Sequence, residues 1–312
     1  MSKILLIGEP MALLTADRVG SLEAIEHFTR TMAGAEVNVC IGLTRLGHQV
    51  IYVTKLGDDP FGHYIKKSLE RENITTDFIN FDSIYKTGIQ LKSKVLKGDP
   101  VAPYYRKGSA ASRLCATDID EINFSDITYV HITGISPALS GSCRKATYRL
   151  IERAREHGVF VSFDPNLRPA LWANEGEMIE VINDLASMAD IVLPGVEEGM
   201  ILMGSDDPEK IADFYQNLNI NQVVVKVGPE GAYVRDGDKS EMITGFKVDE
   251  VVDTVGAGDG FAVGVISGLV EGLTLKAAVL RGNAIGAIQV THSSDNEGLP
   301  DKEKLRAFMS SK

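Results

Sequence analysis

Cysteine is scarce in this sequence, and the scarcity excludes several classes of protein. The three cysteines among 312 residues, Cys40, Cys115 and Cys143, are too few and too scattered for a disulfide framework or a cysteine-based zinc site. The six histidines show no metal-ligand spacing either. The sequence therefore predicts a protein of the reducing cytoplasm and assigns no histidine to catalysis.

Long hydrophobic runs and an excess of positive charge are missing as well. No run approaches the roughly twenty apolar residues that span a bilayer, and Ile4–Gly8 is too short for a secretory signal. The net charge of −11 disfavours nucleic acid and anionic membranes as partners, because both present negative surfaces. An anionic substrate would then require a local basic pocket.

Two common phosphate-handling signatures are also missing. The chain has no Gly-x-x-x-x-Gly-Lys-Ser/Thr loop and none of the protein-kinase catalytic motifs, which excludes a P-loop enzyme and a protein kinase. The segment Asp253–Asp259 instead reads Asp-Thr-Val-Gly-Ala-Gly-Asp. Apolar residues follow it at spacings of three and four, which predicts a helix with one apolar face. These residues are Phe261, Ala262, Val265, Ile266, Leu269 and Val270.

The start of this helix is a predicted anion site. The first amides of a helix lack intrahelical partners and lie at the positive end of its dipole, so Gly256, Ala257 and Gly258 could hold phosphate oxygens. Asp259 allows two interpretations. An aspartate at a helix start commonly acts only as a cap. Beside a bound phosphate, however, it can accept the proton of an attacking hydroxyl.

Two signatures together make the chain resemble the ribokinase-like (PfkB) carbohydrate kinases. Asp253–Asp259 matches that family's C-terminal signature, Asp-Thr-x-Gly-Ala-Gly-Asp, at every specified position. Gly34–Val39, followed by Gly57–Gly62, resembles the N-terminal signature. Both lie in the family's order, and the resemblance covers nearly the whole chain. It implies that Asp259 is the catalytic base and that the preceding glycine segment stabilises the transferring phosphoryl group.

Short apolar runs alternate with amphipathic segments, which predicts an α/β fold with a mostly parallel sheet covered by helices on both faces. The resemblance implies a ribokinase-like three-layer α/β/α architecture, in a single domain over residues 1–312. It also implies a small β lid that excludes water, at approximately residues 11–32 and 88–107. The predicted core strands are Ile4–Gly8, Val50–Thr54, Tyr129–Thr133, Val159–Asp164, Ile191–Leu193 and Val223–Val227, and the predicted lid strands are Met11–Asp17, His27–Met32, Gly88–Leu96 and Pro103–Lys107.

Two arginines narrow the substrate class. Exposed arginines usually mark a solvated face, but Arg106 follows a lid strand and Arg168 follows a core strand, so both could face one cleft. The planar guanidinium binds a carboxylate through two hydrogen bonds. The surrounding stretches resemble the members of the family that act on a sugar acid, the 2-keto-3-deoxygluconate kinases. These stretches are Tyr104–Arg106, Asp164–Pro169, Gly8–Pro10 and Asp295–Pro300.

The resemblance implies a set of sugar contacts. Arg168 is the first choice for the carboxylate, and Gln90 is a further candidate on the lid. Gly34 and Asn38 head a predicted helix, where they could serve only as caps, but the family match favours contacts with sugar hydroxyls. The predicted substrate-binding residues are Gly34, Asn38, Gln90, Tyr104, Arg106, Asn166, Arg168 and Asp259.

The nucleotide contacts follow from the resemblance in the same way. The family places Asn-x-x-Glu after the strand at Ile191–Leu193, and here Glu198 is in register while Gly195 replaces the asparagine. Glu198 is therefore the predicted magnesium contact, directly or through water. The predicted nucleotide-binding residues are Glu198, Lys226, Gly228, Gly231, Gly256, Gly258 and Asn283.

The sequence as a whole predicts an ATP- and Mg²⁺-dependent kinase for the 6-hydroxyl of 2-keto-3-deoxygluconate. A kinase for a neutral sugar such as fructose or ribose is the nearest alternative, and a sugar-binding sensor without turnover is a second. The family analogy adds K⁺ as a candidate cofactor and a homo-oligomer formed through the β lid. Residue types do not distinguish the gluconate-derived acid from its galactonate-derived epimer.

Overall fold

The first strand of the chain is buried on both of its faces. In the computed structural model, which describes residues 3–95 and 100–311, Ile4 and Leu6 pack into one hydrophobic cluster, and Leu5 and Ile7 pack into another. Successive side chains of a strand point to opposite faces of its sheet. A strand that is apolar on both faces therefore lies in the middle layer of three, with helices above and below.

The strands form two sheets, whose members follow from the hydrogen-bond pairing. Within the described residues the strands are β1 (Lys3–Ile7), β2 (Met11–Val19), β3 (Phe28–Ala33), β4 (Gln49–Gly57), β5 (Ile79–Asp82), β6 (Ile89–Lys94), β7 (Tyr104–Tyr105), β8 (Ile127–Thr133), β9 (Phe160–Asp164), β10 (Ile191–Val192), β11 (Gln222–Lys226), β12 (Gly231–Asp236) and β13 (Lys239–Thr244).

The large sheet has the order β13-β12-β11-β10-β9-β8-β1-β4-β5. All neighbours from β11 to β5 pair in parallel, whereas β12 and β13 are antiparallel at one edge. This is the α/β fold with a mostly parallel sheet that the sequence predicts. Each predicted core strand coincides with a strand of this sheet to within a few residues, while β5, β12 and β13 were not predicted.

The helices cover the two faces of the large sheet. In the described chain they are α1 (Ala35–Arg45), α2 (Pro60–Arg71), α3 (Ala116–Asp120), α4 (Ser136–Leu139), α5 (Gly141–Glu156), α6 (Glu175–Ser187), α7 (Val196–Met203), α8 (Pro208–Asn217), α9 (Ala257–Val270), α10 (Leu275–Gln289) and α11 (Lys302–Ser310). Residues of α1, α9 and α10 pack in one cluster, and residues of α5, α6 and α8 pack in the other. No helix among the described residues is long and apolar enough to cross a membrane.

The small sheet has the order β3-β2-β6-β7. Its strands come from the two segments in which lid strands were predicted. β2 pairs antiparallel with β3 and parallel with β6, and β6 pairs antiparallel with β7. The predicted lid strand Gly88–Leu96 ends at a residue outside the described part of the chain. Because β2 follows β1 after only three residues, the small sheet begins beside the carboxyl edge of the large one.

Candidate active site

A cavity of about 940 Å³ lies between the carboxyl ends of the parallel strands and the small sheet. Asp164 at the end of β9, Lys226 at the end of β11 and Gln90 on β6 all line it. Ligands of parallel α/β sheets bind at this edge. Thirteen of the predicted contact residues share this lining: Gly34, Asn38, Gln90, Tyr104, Arg106, Asn166, Arg168, Glu198, Lys226, Gly228, Gly256, Gly258 and Asp259.

Asp259 lies in the first turn of α9, deep in the cavity. Its Oδ2 accepts a hydrogen bond of 2.7 Å from Nδ2 of Asn38 on α1. Limited access to water raises the pKa of the Asp259 carboxyl to about 6, although the hydrogen bond from Asn38 opposes the shift. A carboxylate with a pKa near neutrality can hold a proton that it takes from a hydroxyl, which is the property required of a general base.

The residues before Asp259 form an open cradle of backbone amides. Gly256 has a φ of 79°, and a side chain there would come within 2.4 Å of the Asp295 carbonyl oxygen, so both the backbone conformation and the space require glycine. A side chain on Gly258 would meet nothing within 4 Å, and Gly258 lines the cavity, so the space beside this residue is open. Among the described residues, the amides of Gly258 and Asp259 have no backbone acceptor. The start of α9 can therefore receive an anion.

Three charged groups form a second cluster along the large sheet. Nζ of Lys226 lies 2.8 Å from both carboxylate oxygens of Asp164. Burial alone would lower the pKa of Lys226, but the carboxylates of Asp164 and Glu198 raise it above its ordinary value. The ammonium group of Lys226 therefore stays charged next to the carboxylates of Asp164 and Glu198.

Glu198 is held by the backbone rather than by side chains. Its Oε1 accepts a hydrogen bond of 2.8 Å from the Leu167 amide, and its Oε2 accepts one of 2.7 Å from the Gly195 amide. The second hydrogen bond caps the start of α7. Burial raises the pKa of Glu198, and the charge of Lys226 opposes the shift. Gly195 has an ordinary φ of −94°. The backbone at this position therefore does not require glycine.

On the opposite wall, Arg106 is anchored by a buried carboxylate. Its Nε donates a hydrogen bond of 2.6 Å to Oε2 of Glu9, and its Nη2 also contacts that oxygen. The Ser109 hydroxyl donates to the other Glu9 oxygen. Glu9 is 1 % exposed, so this arrangement fixes the direction of the guanidinium, which keeps its remaining donors free to meet a ligand.

Arg168 is exposed at the rim of the same cavity. Its Nη1 donates to the carbonyl oxygens of Leu167 at 2.9 Å and Asn166 at 3.4 Å. Asn166 has a φ of 39°, in the left-handed region that few non-glycine residues adopt, and this turn projects Arg168 beyond the end of β9. The positive charge of Arg168 acts to lower the pKa of Asp259, so the two groups are within electrostatic reach of each other. The arrangement provides a base, an anion cradle and two guanidinium groups around one space.

A comparison with models of protein families identifies the family of this chain. The model described as the pfkB family carbohydrate kinase matches residues 1–302. The chain belongs to this family of carbohydrate kinases.

Individual relatives agree with the family. The kinase is 46% identical over 304 residues to the 2-dehydro-3-deoxygluconokinase of Bacillus subtilis (strain 168), covering 97% of this chain and 94% of the relative. Its fold matches the crystal structure of a PfkB protein from Polaromonas sp. JS666 with a TM-score of 0.90 and 44% identity, over 98% of this chain and 100% of that one. It also matches a double mutant of the fructokinase of Vibrio cholerae O395, solved with fructose, ADP and potassium ion, with a TM-score of 0.87 and 27% identity, over 99% and 98% of the two chains.

Three predicted contact residues of the kinase lie outside the cavity lining, and each has a structural explanation. Asn283 is 8 % exposed, and its Nδ2 donates to the carbonyl oxygens of Ile243 and Thr244, so α10 is tied to β13. Gly231 begins β12 with a φ of 112°, where a side chain would come within 2.1 Å of the Ile243 carbonyl oxygen. Ala257 is the first residue of α9 and lies behind the two glycines that face the cavity.

The buried charged residues Glu9, Glu36, Lys92 and Asp164 line the cavity of the kinase but were given no individual role from the sequence. Each is a charged residue in or beside a predicted strand or signature, among apolar neighbours. Charged residues are rarely buried without a partner, so this pattern could have identified them as candidates for the site. Glu36 shows the effect most clearly. It is 1 % exposed in the first turn of α1, and burial raises its pKa to about 7, although the hydroxyl of Thr133 donates to it.

The pKa of Asp259 leads to an expected pH profile for the kinase. The base must be ionised to accept a proton, and the shift is upward, so kcat/KM for the sugar should be level above about pH 6 and fall about tenfold per unit below it. Initial rates from about pH 5 to pH 8 at saturating ATP would measure this profile. Samples returned to neutral pH provide the control for inactivation, and a level profile throughout would contradict the assignment.

Proposed function

We propose that this kinase transfers the γ-phosphoryl group of ATP to the 6-hydroxyl of 2-keto-3-deoxygluconate, giving the 6-phosphate and ADP. The observation that carries the proposal is that Asp259 and two arginines, Arg106 and Arg168, line a single cavity. A sugar acid has a hydroxyl at one end and a carboxylate at the other, which matches those two sets of groups. The 46% identity to a 2-dehydro-3-deoxygluconokinase, the same activity under its systematic name, supports this substrate.

At the acid end, the arginines have separate tasks. Arg106 is fixed by Glu9 and presents its remaining N–H groups from the small sheet. Among the described residues, Arg168 donates only to carbonyl oxygens of its own loop, so it can move toward the carboxylate of the substrate. Tyr104 and Gln90 share a hydrogen bond of 3.2 Å on the same wall and offer polar groups to the sugar hydroxyls and the keto oxygen.

At the reacting end, Asp259 orients the 6-hydroxyl and accepts its proton as the hydroxyl oxygen attacks the γ-phosphorus. The bond from that phosphorus to the bridging oxygen of ADP breaks in the same displacement. Negative charge then develops on the phosphoryl oxygens, and the amides of Gly258 and Asp259, which have no backbone acceptor among the described residues, are the donors that would stabilise it. Asn38 holds the carboxylate of Asp259 in place through its side-chain amide.

ATP and Mg²⁺ fit the remaining part of the cavity. Lys226 is the last residue of β11 and Gly228 lies just beyond it, and both line the cavity, where a polyphosphate would meet the positive charge of Lys226. Among the described residues, no group of three or more carboxylate, histidine or cysteine side chains could hold a metal ion. Both oxygens of Glu198 already accept backbone amides, so Glu198 would contact Mg²⁺ through water. Mg²⁺ neutralises charge on the nucleotide phosphates when it is bound.

The direct test is the release of ADP from ATP and Mg²⁺ with 2-keto-3-deoxygluconate, its galactonate-derived epimer, fructose, ribose or no sugar. Turnover confined to the sugar acids is expected. A preference for fructose would favour the neutral-sugar alternative and contradict the role of the arginines. Thermal stabilisation by the sugar acid without any release of ADP would favour the sensor.

The same assay with sodium replaced by potassium tests the candidate K⁺ requirement, and light scattering tests the predicted oligomer.

A further inference from the structure

A buried lysine connects the small sheet to the loops of the anion cradle. Lys92 on β6 is 5 % exposed, and its Nζ lies 2.8 Å from Oδ2 of Asp253 and 3.2 Å from Oδ1 of Asp295. It lies two residues from Gln90, so both side chains leave the same face of β6, and both line the cavity. Burial alone would lower the pKa of Lys92, but the carboxylates of Asp295 and Asp253 raise it. The group is therefore a cation.

The two aspartates belong to the two loops that shape the start of α9. Asp253 opens the glycine-rich segment, and its Oδ1 accepts the Val255 amide at 3.0 Å. The Asp295 carbonyl oxygen lies so close to Gly256 that a side chain there would come within 2.4 Å of it. Nε2 of Gln289 also joins the two loops, because it donates to the carbonyl oxygens of both Val255 and Ser294. Movement of either aspartate would therefore move the cradle.

We propose that Lys92 is a positioning residue for phosphoryl transfer, a tethered cation that holds both loops of the cradle in register and links them to the small sheet. The inference rests on the proposed function of the cavity. Lys92 touches neither the base nor the amides that face the phosphoryl group. It acts through Asp253 and Asp295, whose charges repel each other when no cation lies between them.

The expected effect is on turnover rather than on sugar binding. Without the ammonium group, the carboxylates of Asp253 and Asp295 lose their shared partner, and the loops can separate by the small distance that misaligns the amides of Gly258 and Asp259. Misplacement by about 1 Å can cost about 10²-fold in rate. Lys92→Ala is therefore expected to lower kcat about 10²-fold while the KM for the sugar acid changes much less.

Chemical rescue separates a positioning cation from a purely structural residue. The truncation in Lys92→Ala leaves room for a small free cation between the two aspartates. Methylammonium or ammonium chloride should raise the kcat of this variant at least about tenfold, whereas methanol, which is similar in size but neutral, should not. ADP should be measured directly by chromatography, so that the salts act on this enzyme alone. Lys94→Ala is the matched control, because Lys94 lies two residues further along β6 but is exposed.

Each outcome bears on the inference. Rescue of Lys92→Ala by the amines, with wild type and Lys94→Ala unaffected, would support it. Equal stimulation of all three proteins would overturn it, because the ions would then act elsewhere. If Lys92→Ala does not fold, Lys92→Gln keeps neutral donors in place, and an unchanged kcat in that variant would also overturn it. The wild-type rate on the same sugar acid separately tests the proposed function, and any sugar that the wild type phosphorylates serves equally for the rescue.

Discussion

Replacement of Asp259 by asparagine is expected to lower kcat about 10³-fold, because general-base catalysis typically contributes between about 10² and 10⁴. The amide has nearly the same shape and can still accept the hydrogen bond from Asn38, so the geometry of the cavity should persist. It cannot, however, take a proton from the 6-hydroxyl. The KM for the sugar acid should therefore change far less than kcat, which steady-state kinetics would measure.

The stability of the same variant provides an independent check on the burial argument. The pKa of Asp259 is raised in the fold, so its ionised form is disfavoured there, and the stability falls as the pH rises from the ordinary pKa of an aspartate to about 6 and stays lower above that pH. Asp259→Asn should therefore unfold at the same or a higher temperature than wild type at mildly alkaline pH. Asp238→Asn, at an exposed position between β12 and β13, is the matched control. Near-normal turnover in Asp259→Asn would remove this residue from the base role.

The sequence predicts the large sheet well because its strands are apolar on both faces. β1 and β8 are short apolar runs, and a run of this length that is apolar on both faces is typical of a strand in a parallel sheet. β13 was not predicted because it is an edge strand, with residues exposed along most of its length. Edge strands lack the apolar pattern on which the other predictions depend.

The candidate site was predictable where the chemistry lies in one continuous segment. Asp259 and its glycines stand together in the sequence, so local spacing is enough to suggest an anion site beside a carboxylate. The pairing of Asp259 with Asn38 spans 221 positions, and only the fold brings the two together. The same holds for the buried partners of Arg106 and Lys226, since Glu9 and Asp164 become partners only through the packing of the two sheets.

Replacement of Arg168 by alanine should lower kcat/KM for the sugar acid about 10²-fold, because a charged hydrogen-bonded pair across a binding site is typically worth several kcal/mol. Of the two arginines, Arg168 gives the clearer test of carboxylate binding. Among the described residues it makes no ion pair, and it is exposed, so its loss should leave stability within about 0.5 kcal/mol of wild type. Arg106→Ala would instead leave the carboxylate of Glu9 buried without its partner.

The substrate can be varied together with the enzyme to isolate the carboxylate contact. The carboxamide of 2-keto-3-deoxygluconate retains the hydroxyls and keto group but carries no negative charge. In wild type, kcat/KM should be much lower for the carboxamide than for the acid. In Arg168→Ala the two values of kcat/KM should be almost equal, since the positive charge that selects the acid is gone. Arg113→Ala, at an exposed arginine that does not line the cavity, should behave as wild type. Equal discrimination by Arg168→Ala and wild type would mean that another group, with Arg106 the first to test, recognises the carboxylate.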